Sequence, residues 1–302
     1  MILITGASGF IGEKLLKKLV KTGLKVRVIV RKKSVNLDLN IEEVIIDLEK
    51  WVSFSKDCDM LDNCLKNSLI GVDVVIHLAG IAHRNGISQE KYSKINRDLT
   101  IKLASYANKH DVKRFIFSSS IKVNGEMTFS KYSHLLCKKN KSIPKYFDSS
   151  LDYIPTEPYA VSKYEAELEL EELKKHMEMT IVVVRIPLVY GEGAKGNYEK
   201  LTKLIKLGIP LPFKSADNKR SLISIDNLCS FLIHISDTKK HKDMMNETFL
   251  ISDKTDLSFA DILEKIAKSQ NRKLYLFKFP VNLLIRFLNI IGCRKTAVKI
   301  FG

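Results

Sequence analysis

The stretch that decides the fold is Met1-Ile-Leu-Ile-Thr-Gly6-Ala-Ser-Gly9-Phe-Ile-Gly12. The apolar run Ile2-Leu3-Ile4 has the composition of a buried parallel strand. It breaks at Gly6, and helical spacing begins near Ile11, continues through Leu15, Leu16, Leu19 and Val20, and stops at Gly23. The reading is strand, glycine turn, helix. Such a turn lets the backbone approach a pyrophosphate, while the first helical N–H groups and the positive end of the helix dipole face the negative charge. Glycines in a turn also serve packing alone, so the motif gains weight only from its setting at the start of an alternating strand and helix chain.

Outward from this stretch the alternation continues. Lys25–Val30 reads as a second strand, Val44–Ile46 as a third ended by Asp47, and Asp73–Leu78 as a fourth ending in the small residues Ala79 and Gly80. A helix is expected from about Gln89 to Lys109, a fifth strand over Arg114–Phe117, a long helix from near Tyr159 and a sixth strand over Thr180–Arg185. This rhythm implies right-handed crossovers and one parallel sheet covered on both faces. Residues 131–153 read as a lysine-rich surface excursion, and 191–226 as part of a smaller lobe. Phe249–Ser252 is a candidate to rejoin the main sheet before two closing helices. The second of these, Pro280 to Ile291, is apolar enough to suit a membrane surface, although a core or docking helix is the commoner use of such a pattern.

Composition narrows the classes. The chain has 302 residues, 45% of them apolar and 28% charged, so a full core can be buried and the whole length is expected to fold. No apolar run approaches the length of a membrane span and no leader pattern precedes Ile2, which predicts a cytoplasmic protein without an integral membrane segment. Cys58, Cys64, Cys137, Cys229 and Cys293 form no CxxC pair and no metal-type spacing with histidine, so reduced thiols and no metal are expected. The net charge of +16 is spread along the chain without interleaved aromatics, which points away from nucleic acid and towards anionic small substrates.

Two further signals stand where ligands bind in an open parallel sheet, at the carboxyl ends of strands. One is Phe117-Ser118-Ser119-Ser120; the other is Tyr159-Ala-Val-Ser-Lys163. A spacing of four puts the tyrosine and lysine on one helix face. A nearby ammonium favours the phenolate, and a serine hydroxyl can hold the reacting oxygen, so the three together can move a proton at a carbon that a nicotinamide oxidises or reduces. Each piece alone is weak; their joint order along the chain carries the reading.

With these residues in view, the sequence resembles an extended short-chain dehydrogenase/reductase of the nucleotide-sugar epimerase and dehydratase family from residue 2 to about residue 290. The resemblance implies a Rossmann-type doubly wound parallel sheet in an α/β fold, with a smaller C-terminal substrate-binding lobe. The expected division is 1–186 plus about 222–255 for the NAD(P)-binding domain, and 187–221 with 256–302 for the nucleotide-sugar lobe. By position, Gly6, Gly9, Phe10, Ile11 and Gly12 match the cofactor loop. Asp47 and Leu48 match the adenine contacts, and Leu78, Ala79, Gly80, Asn96 and Ser118 match further cofactor contacts. Ser120, Tyr159 and Lys163 match the catalytic triad, the latter two also meeting the cofactor. Lys122, Asn124, Gly196-Asn197 and Arg220 match substrate positions, a guanidinium being suited to a diphosphate. A homodimer through the helices around 89–109 and 159–176 is also implied.

The wording around IKVNGE (121–126), RIPLVYG (185–191) and KRSLISIDNL (219–228) is similar to a narrower group of surface-polysaccharide enzymes. That likeness predicts 4-ketoreduction of a UDP-4-keto-6-deoxy-N-acetylhexosamine, with a UDP-hexose or UDP-N-acetylhexosamine 4-epimerase holding NAD tightly as the alternative. A non-catalytic NADP-sensing protein is a more distant one, disfavoured by the intact triad. Dehydration is disfavoured because Ile121 follows Ser120 where the family's dehydratases carry carboxylates. Strand two ends Val30-Arg31-Lys32-Lys33, without an acid to repel a 2′-phosphate, so NADP(H) is expected over NAD(H).

Overall fold

A computed structural model describes residues 1–33, 41–53, 59–82, 86–136, 143–194, 197–243 and 246–301. In chain order the elements begin with β1 (Ile2–Thr5), α1 (Phe10–Val20), β2 (Val26–Val30), β3 (Ile41–Ile45), α2 (Leu48–Ser53), α3 (Asp59–Leu69), β4 (Val74–His77), α4 (Gln89–Tyr92) and α5 (Leu99–Lys109). They continue with β5 (Arg114–Ser120), α6 (Ser133–Leu136), α7 (Pro158–Lys174), β6 (Thr180–Ile186), β7 (Leu188–Tyr190), α8 (Asn197–Lys206), β8 (Lys219–Arg220) and β9 (Leu222–Ser224). The last are α9 (Ile225–Ser236), β10 (Thr248–Leu250), β11 (Leu257–Ser258), α10 (Phe259–Ser269), α11 (Val281–Ile290) and α12 (Arg294–Phe301).

Contacts divide the chain into two compact units. The first holds Met1–Val123, Ile154–Ile186 and Ile225–Ile251; the second holds Asn124–Tyr153, Pro187–Ser224 and Ser252–Gly302. Residues 131–153, expected as an excursion from the first domain, cluster instead with the second. The reason is local: Ser133–Leu136 forms a helical turn whose Leu136, 2% exposed, joins the second core.

The first unit is a seven-stranded sheet in the order β10-β6-β5-β4-β1-β2-β3, every pairing parallel. This is the Rossmann-type doubly wound α/β arrangement. The chain reverses its direction of travel across the sheet between β1 and β4, so the crevice beyond their carboxyl ends is the natural ligand position. Ile4 pairs with Val28 on one side and Ile76 on the other, which explains why these strands read as unbroken apolar runs: both faces are covered. Leu3, Ile29, Val75, Phe115 and Phe117 from the strands pack with Leu103 and Leu170 from α5 and α7.

The second unit has its own core around Leu136, Ile205, Leu211, Leu263, Ile285 and Phe301. Three closing helices, not two, follow β11: Phe259–Ser269 opens with a Ser258–Asp261 capping box, and Arg294–Phe301 adds Ala297 and Phe301 to the core. Residues 197–206, which carry little visible periodicity, form an amphipathic helix.

Candidate active site

The glycine loop is built as its sequence suggested. Gly6 has φ of +74°, and a Cβ there would stand 2.6 Å from the Ala79 nitrogen. At Gly12 a Cβ would lie 2.3 Å from the Gly6 carbonyl oxygen. Both glycines are therefore required by the close packing of the β1 turn, α1 and the tip of β4. Gly9 differs: it is exposed, has an ordinary φ of −83°, and its nearest foreign atom would be Gly6 O at 3.3 Å. A Cβ there is crowded less than at the other two positions, and the exposed backbone at the head of α1 stays open to a ligand's approach, so the loop fits a dinucleotide.

Beneath the loop lies a chain of hydrogen bonds that the sequence reading missed. Ala79 N donates to Thr5 Oγ1 at 3.2 Å, Thr5 Oγ1 meets His77 Nδ1 at 2.7 Å, and His77 Nε2 meets Thr100 Oγ1 at 3.0 Å. Thr100 spends its proton on the Asn96 carbonyl at 2.8 Å, so it must accept from His77. His77 is thereby neutral with its proton on Nε2, and Thr5 donates to Nδ1. Burial, with the Lys163 charge adding to it, pushes the imidazole down to about 3.

Asn96 is fully buried and entirely committed to the protein. Its Oδ1 accepts from Ile81 N at 2.8 Å, while Nδ2 donates to Ile81 O at 3.1 Å and to Ser162 Oγ at 3.0 Å. It thus pins the loop after Gly80 to α7. The expected continuous helix over 89–109 is interrupted here: Ser93–Asp98 is a π-helical segment between α4 and α5. The wider turn sets Asn96 where it meets both Ile81 and Ser162.

At the end of β5, Ser120 is 8% exposed and stands by Tyr159, at the first turn of α7, near enough to lower its phenol. Ser120 Oγ accepts from Lys122 N at 3.3 Å. Tyr92 stands edge-on to the Tyr159 ring, with centroids 6.1 Å apart. Burial raises the Tyr159 phenol, Ser120 opposes this, and the nearby Glu157 carboxylate and Tyr92 add to it. Lys163, 4% exposed, donates to Ser118 O at 2.8 Å and lies 4.5 Å above the Phe117 ring. Burial pulls its ammonium down to about 8, against the charge of Glu167. The sequence led us to expect Lys163 to depress the phenol. In the structure the depressing contact on Tyr159 is Ser120, because the ammonium is turned to the Ser118 carbonyl.

Other expected positions are accounted for as follows. Ser118 Oγ donates to His77 O at 2.8 Å, and an added Cβ at Gly80 would lie 3.6 Å from Lys163 Nζ. Leu78 and Ala79 are half-buried at the β4 tip. Phe10 and Ile11 are half-buried at the head of α1, and Asp47 Oδ1 caps α2 through Glu49 N and Lys50 N. The side chain of Leu48 is in the core beside Trp51. Arg31 is exposed. Lys122, expected at substrate, pairs through Nζ with the Glu157 carboxylate. In the second unit Asn124 Nδ2 donates to Asp148 O at 2.7 Å, and Arg220 is half-buried, its guanidinium pulled down to about 10 by burial. Gly196 and the side chain of Asn197 lie outside the described residues.

A second buried cluster also escaped the sequence reading. Arg185, 0% exposed, reaches Glu167 through Nε and a terminal nitrogen at 2.8–3.2 Å, and Ser119 Oγ donates to the same carboxylate. Its signal was present in the sequence, as an arginine inside the apolar run TIVVVRI and a glutamate four residues after Lys163. No group of side chains among the described residues is arranged to hold a metal ion.

Comparison with known proteins matches residues 2–248 to the NAD dependent epimerase/dehydratase family. The chain belongs to this family. It is accordingly an NAD-dependent enzyme of the epimerase and dehydratase class. Among relatives, it is 34% identical over 307 aligned residues to a UDP-glucose 4-epimerase of Vibrio cholerae, covering all of this chain and 82% of that one. It is 26% identical to an Escherichia coli O157:H7 N-acetyl-alpha-D-glucosaminyl-diphospho-ditrans,octacis-undecaprenol 4-epimerase, over 93% of this chain and 76% of the relative. A UDP-glucuronic acid 4-epimerase of Bacillus cereus in complex with NAD shares the fold, with a TM-score of 0.68 and 23% identity over 92% of this chain and 87% of that one.

Proposed function

We propose that the chain epimerises a UDP-sugar at C4, by oxidation and re-reduction at that carbon. The observation that carries this reading is the meeting of Ser120, at the carboxyl end of β5, with Tyr159 and the buried Lys163 ammonium one turn further along α7. NAD supplies, when bound, a reversible hydride acceptor. The glycine loop, Ala79–Gly80 and Lys163 are the residues that would hold it.

Within the chain, Ser120 donates a hydrogen bond to the oxygen that exchanges its proton, and the Tyr159 phenolate removes that proton from the C4 hydroxyl. The same phenol returns the proton when the carbon is reduced. Because burial raises the Tyr159 phenol, the phenolate depends on the neighbours that lower it, of which Ser120 is the one in place, while the Lys163 ammonium is held on the Ser118 carbonyl. The 4-epimerase relative that aligns along the whole of this chain supports epimerisation. The exposed run Arg31-Lys32-Lys33 favours a second reading, NADPH-dependent reduction of a UDP-4-keto-6-deoxysugar. Pairing of two copies through α5 and α7 is supported by the partly apolar depression lined by Ile101, Leu168 and Leu173.

The test is to incubate the purified protein with UDP-glucose and with UDP-N-acetylglucosamine, adding no cofactor, and to follow the C4 epimers by NMR. Interconversion is expected, and Tyr159→Phe is expected to keep its bound nicotinamide while losing about 100-fold or more in turnover. Steady loss of added NADPH absorbance with a 4-keto sugar, and no epimer formed, would establish the reductase instead. Full activity of the phenylalanine variant would remove Tyr159 from the mechanism.

A further inference from the structure

From Asn271 to Gly302 the chain carries seven lysines and arginines and no aspartate or glutamate. The same stretch exposes large apolar side chains. Leu211 N donates to Tyr275 O at 2.8 Å and Phe277 N donates to Leu211 O at 3.0 Å, an extended pairing in which Leu274 and Leu276 pack on the core of the second unit. Tyr275 and Phe277 in alternate positions, 57% and 45% exposed, face solvent, and Phe279 follows at 37%.

The helix α11 then buries one stripe, Val281 and Ile285, with Leu284 and Leu288 packed alongside. A second stripe at helical spacing remains outside: Leu283 at 53%, Phe287 at 55%, Ile290 at 84% and Ile291 at 52% exposed. Packing on the core accounts for the first stripe and leaves the second without an intramolecular use. The basic residues Arg272, Lys273, Lys278, Arg286 and Lys295 are exposed in the same segment.

Seven exposed large apolar side chains in 17 consecutive positions, Tyr275 to Ile291, mark an interaction surface. The accompanying charges indicate which kind. Lysine is depleted from protein–protein interfaces, whereas interfacial helices on anionic bilayers combine Phe and Leu with a lysine and arginine rim. Long basic side chains can lie along apolar surface and still place their charge at phosphate depth. Each basic group near an anionic leaflet adds to the attraction, and no acid in this stretch opposes it. We propose that the exposed face of residues 275–291, with its basic surround, docks peripherally on an anionic lipid bilayer. No helix among the described residues is long and apolar enough to cross a membrane, so the attachment lies in the interface plane. The inference is independent of the reaction proposed above.

Flotation of the full chain with vesicles tests it. Vesicles of phosphatidylglycerol and phosphatidylethanolamine should carry the protein upward, and vesicles of phosphatidylcholine alone should carry about tenfold less. The double variant Phe287→Glu, Ile290→Glu alters only solvent-facing positions and should weaken flotation by about tenfold or more. Lys278→Glu with Lys295→Glu should have a comparable effect, and both variants should keep the parent's circular dichroism and melting temperature. Failure of the parent to float, or flotation unchanged in both pairs of variants, overturns the proposal. So does a parent dimer that the Phe287→Glu, Ile290→Glu variant converts to monomer, since the face would then be covered by a second copy. Binding of this face to an acidic protein while anionic vesicles are ignored overturns it equally.

Discussion

Lys163 shows how one side chain can oppose the stability of the fold that positions it. Burial lowers its ammonium from 10.5 in model compounds to about 8, despite a 2.8 Å bond to the Ser118 carbonyl and the charge of Glu167. The folded value lies below the unfolded one, so the unfolded chain binds more protons between about pH 8 and 10.5, and stability rises with pH across that window. Below about pH 8 the whole penalty applies, at most about 3 kcal/mol. Lys163→Met is therefore expected to raise the urea midpoint at pH 7, with the gain shrinking as the pH approaches 10.5. A variant less stable than the parent at pH 7 would show that the ammonium's hydrogen bond outweighs its desolvation. The triad was legible because Ser120 ends a strand and Tyr159 and Lys163 share one helix face. The groups around it were not, because pairs such as Lys122–Glu157 and Arg185–Glu167 join residues 18 or more positions apart, and no periodicity links them.

Among the elements, the six strands expected first all exist: the central ones are covered on both faces and so read as apolar runs, whereas the edge strand β3, with Glu42 and Glu43, showed itself only through Val44 and Ile45. The π-helical Ser93–Asp98 is different in kind. Nothing in SKINRD distinguishes it from ordinary helix; the widened turn is held by Asn96 reaching Ile81 and Ser162, contacts that exist only once the sheet and α7 are assembled. Asn96→Ala removes all three bonds and leaves the half-buried Ile81 amide without its acceptor. The expected cost is about 2–4 kcal/mol in equilibrium urea unfolding. Loss of cofactor affinity should accompany it, because the loop after Gly80 loses its tether. A cost below about 1 kcal/mol would mean that water or a shifted Ser162 replaces the amide. The short helices Ser133–Leu136, Asn197–Lys206 and Arg294–Phe301 escaped notice for a simpler reason: each offers only a few apolar contacts, and its amphipathic pattern is short.

At the scale of the molecule, every residue matched to cofactor binding lies in the first unit, so the dinucleotide is expected to stabilise that unit by linkage. Ligand at a hundredfold excess over its dissociation constant adds about 2.7 kcal/mol, which in a chain of this size raises the melting temperature by roughly 4–5 °C. NADP differs only by a phosphate that would meet Arg31, Lys32 and Lys33, all of them exposed. An exposed ion pair with Arg31, whose guanidinium suits a phosphate, is worth about 1 kcal/mol or less, so it favours NADP by no more than about fivefold. NAD and NADP are therefore expected to raise the melting temperature to within about 3 °C of each other, and Arg31→Ala to remove any NADP advantage without touching the NAD shift. An enzyme that consumes reductant needs a stronger bias than this; one that returns its hydride to the same sugar needs none. A melting shift seen with NADP alone would locate a buried phosphate site beyond Arg31 and replace epimerisation with reduction as the reaction of this chain.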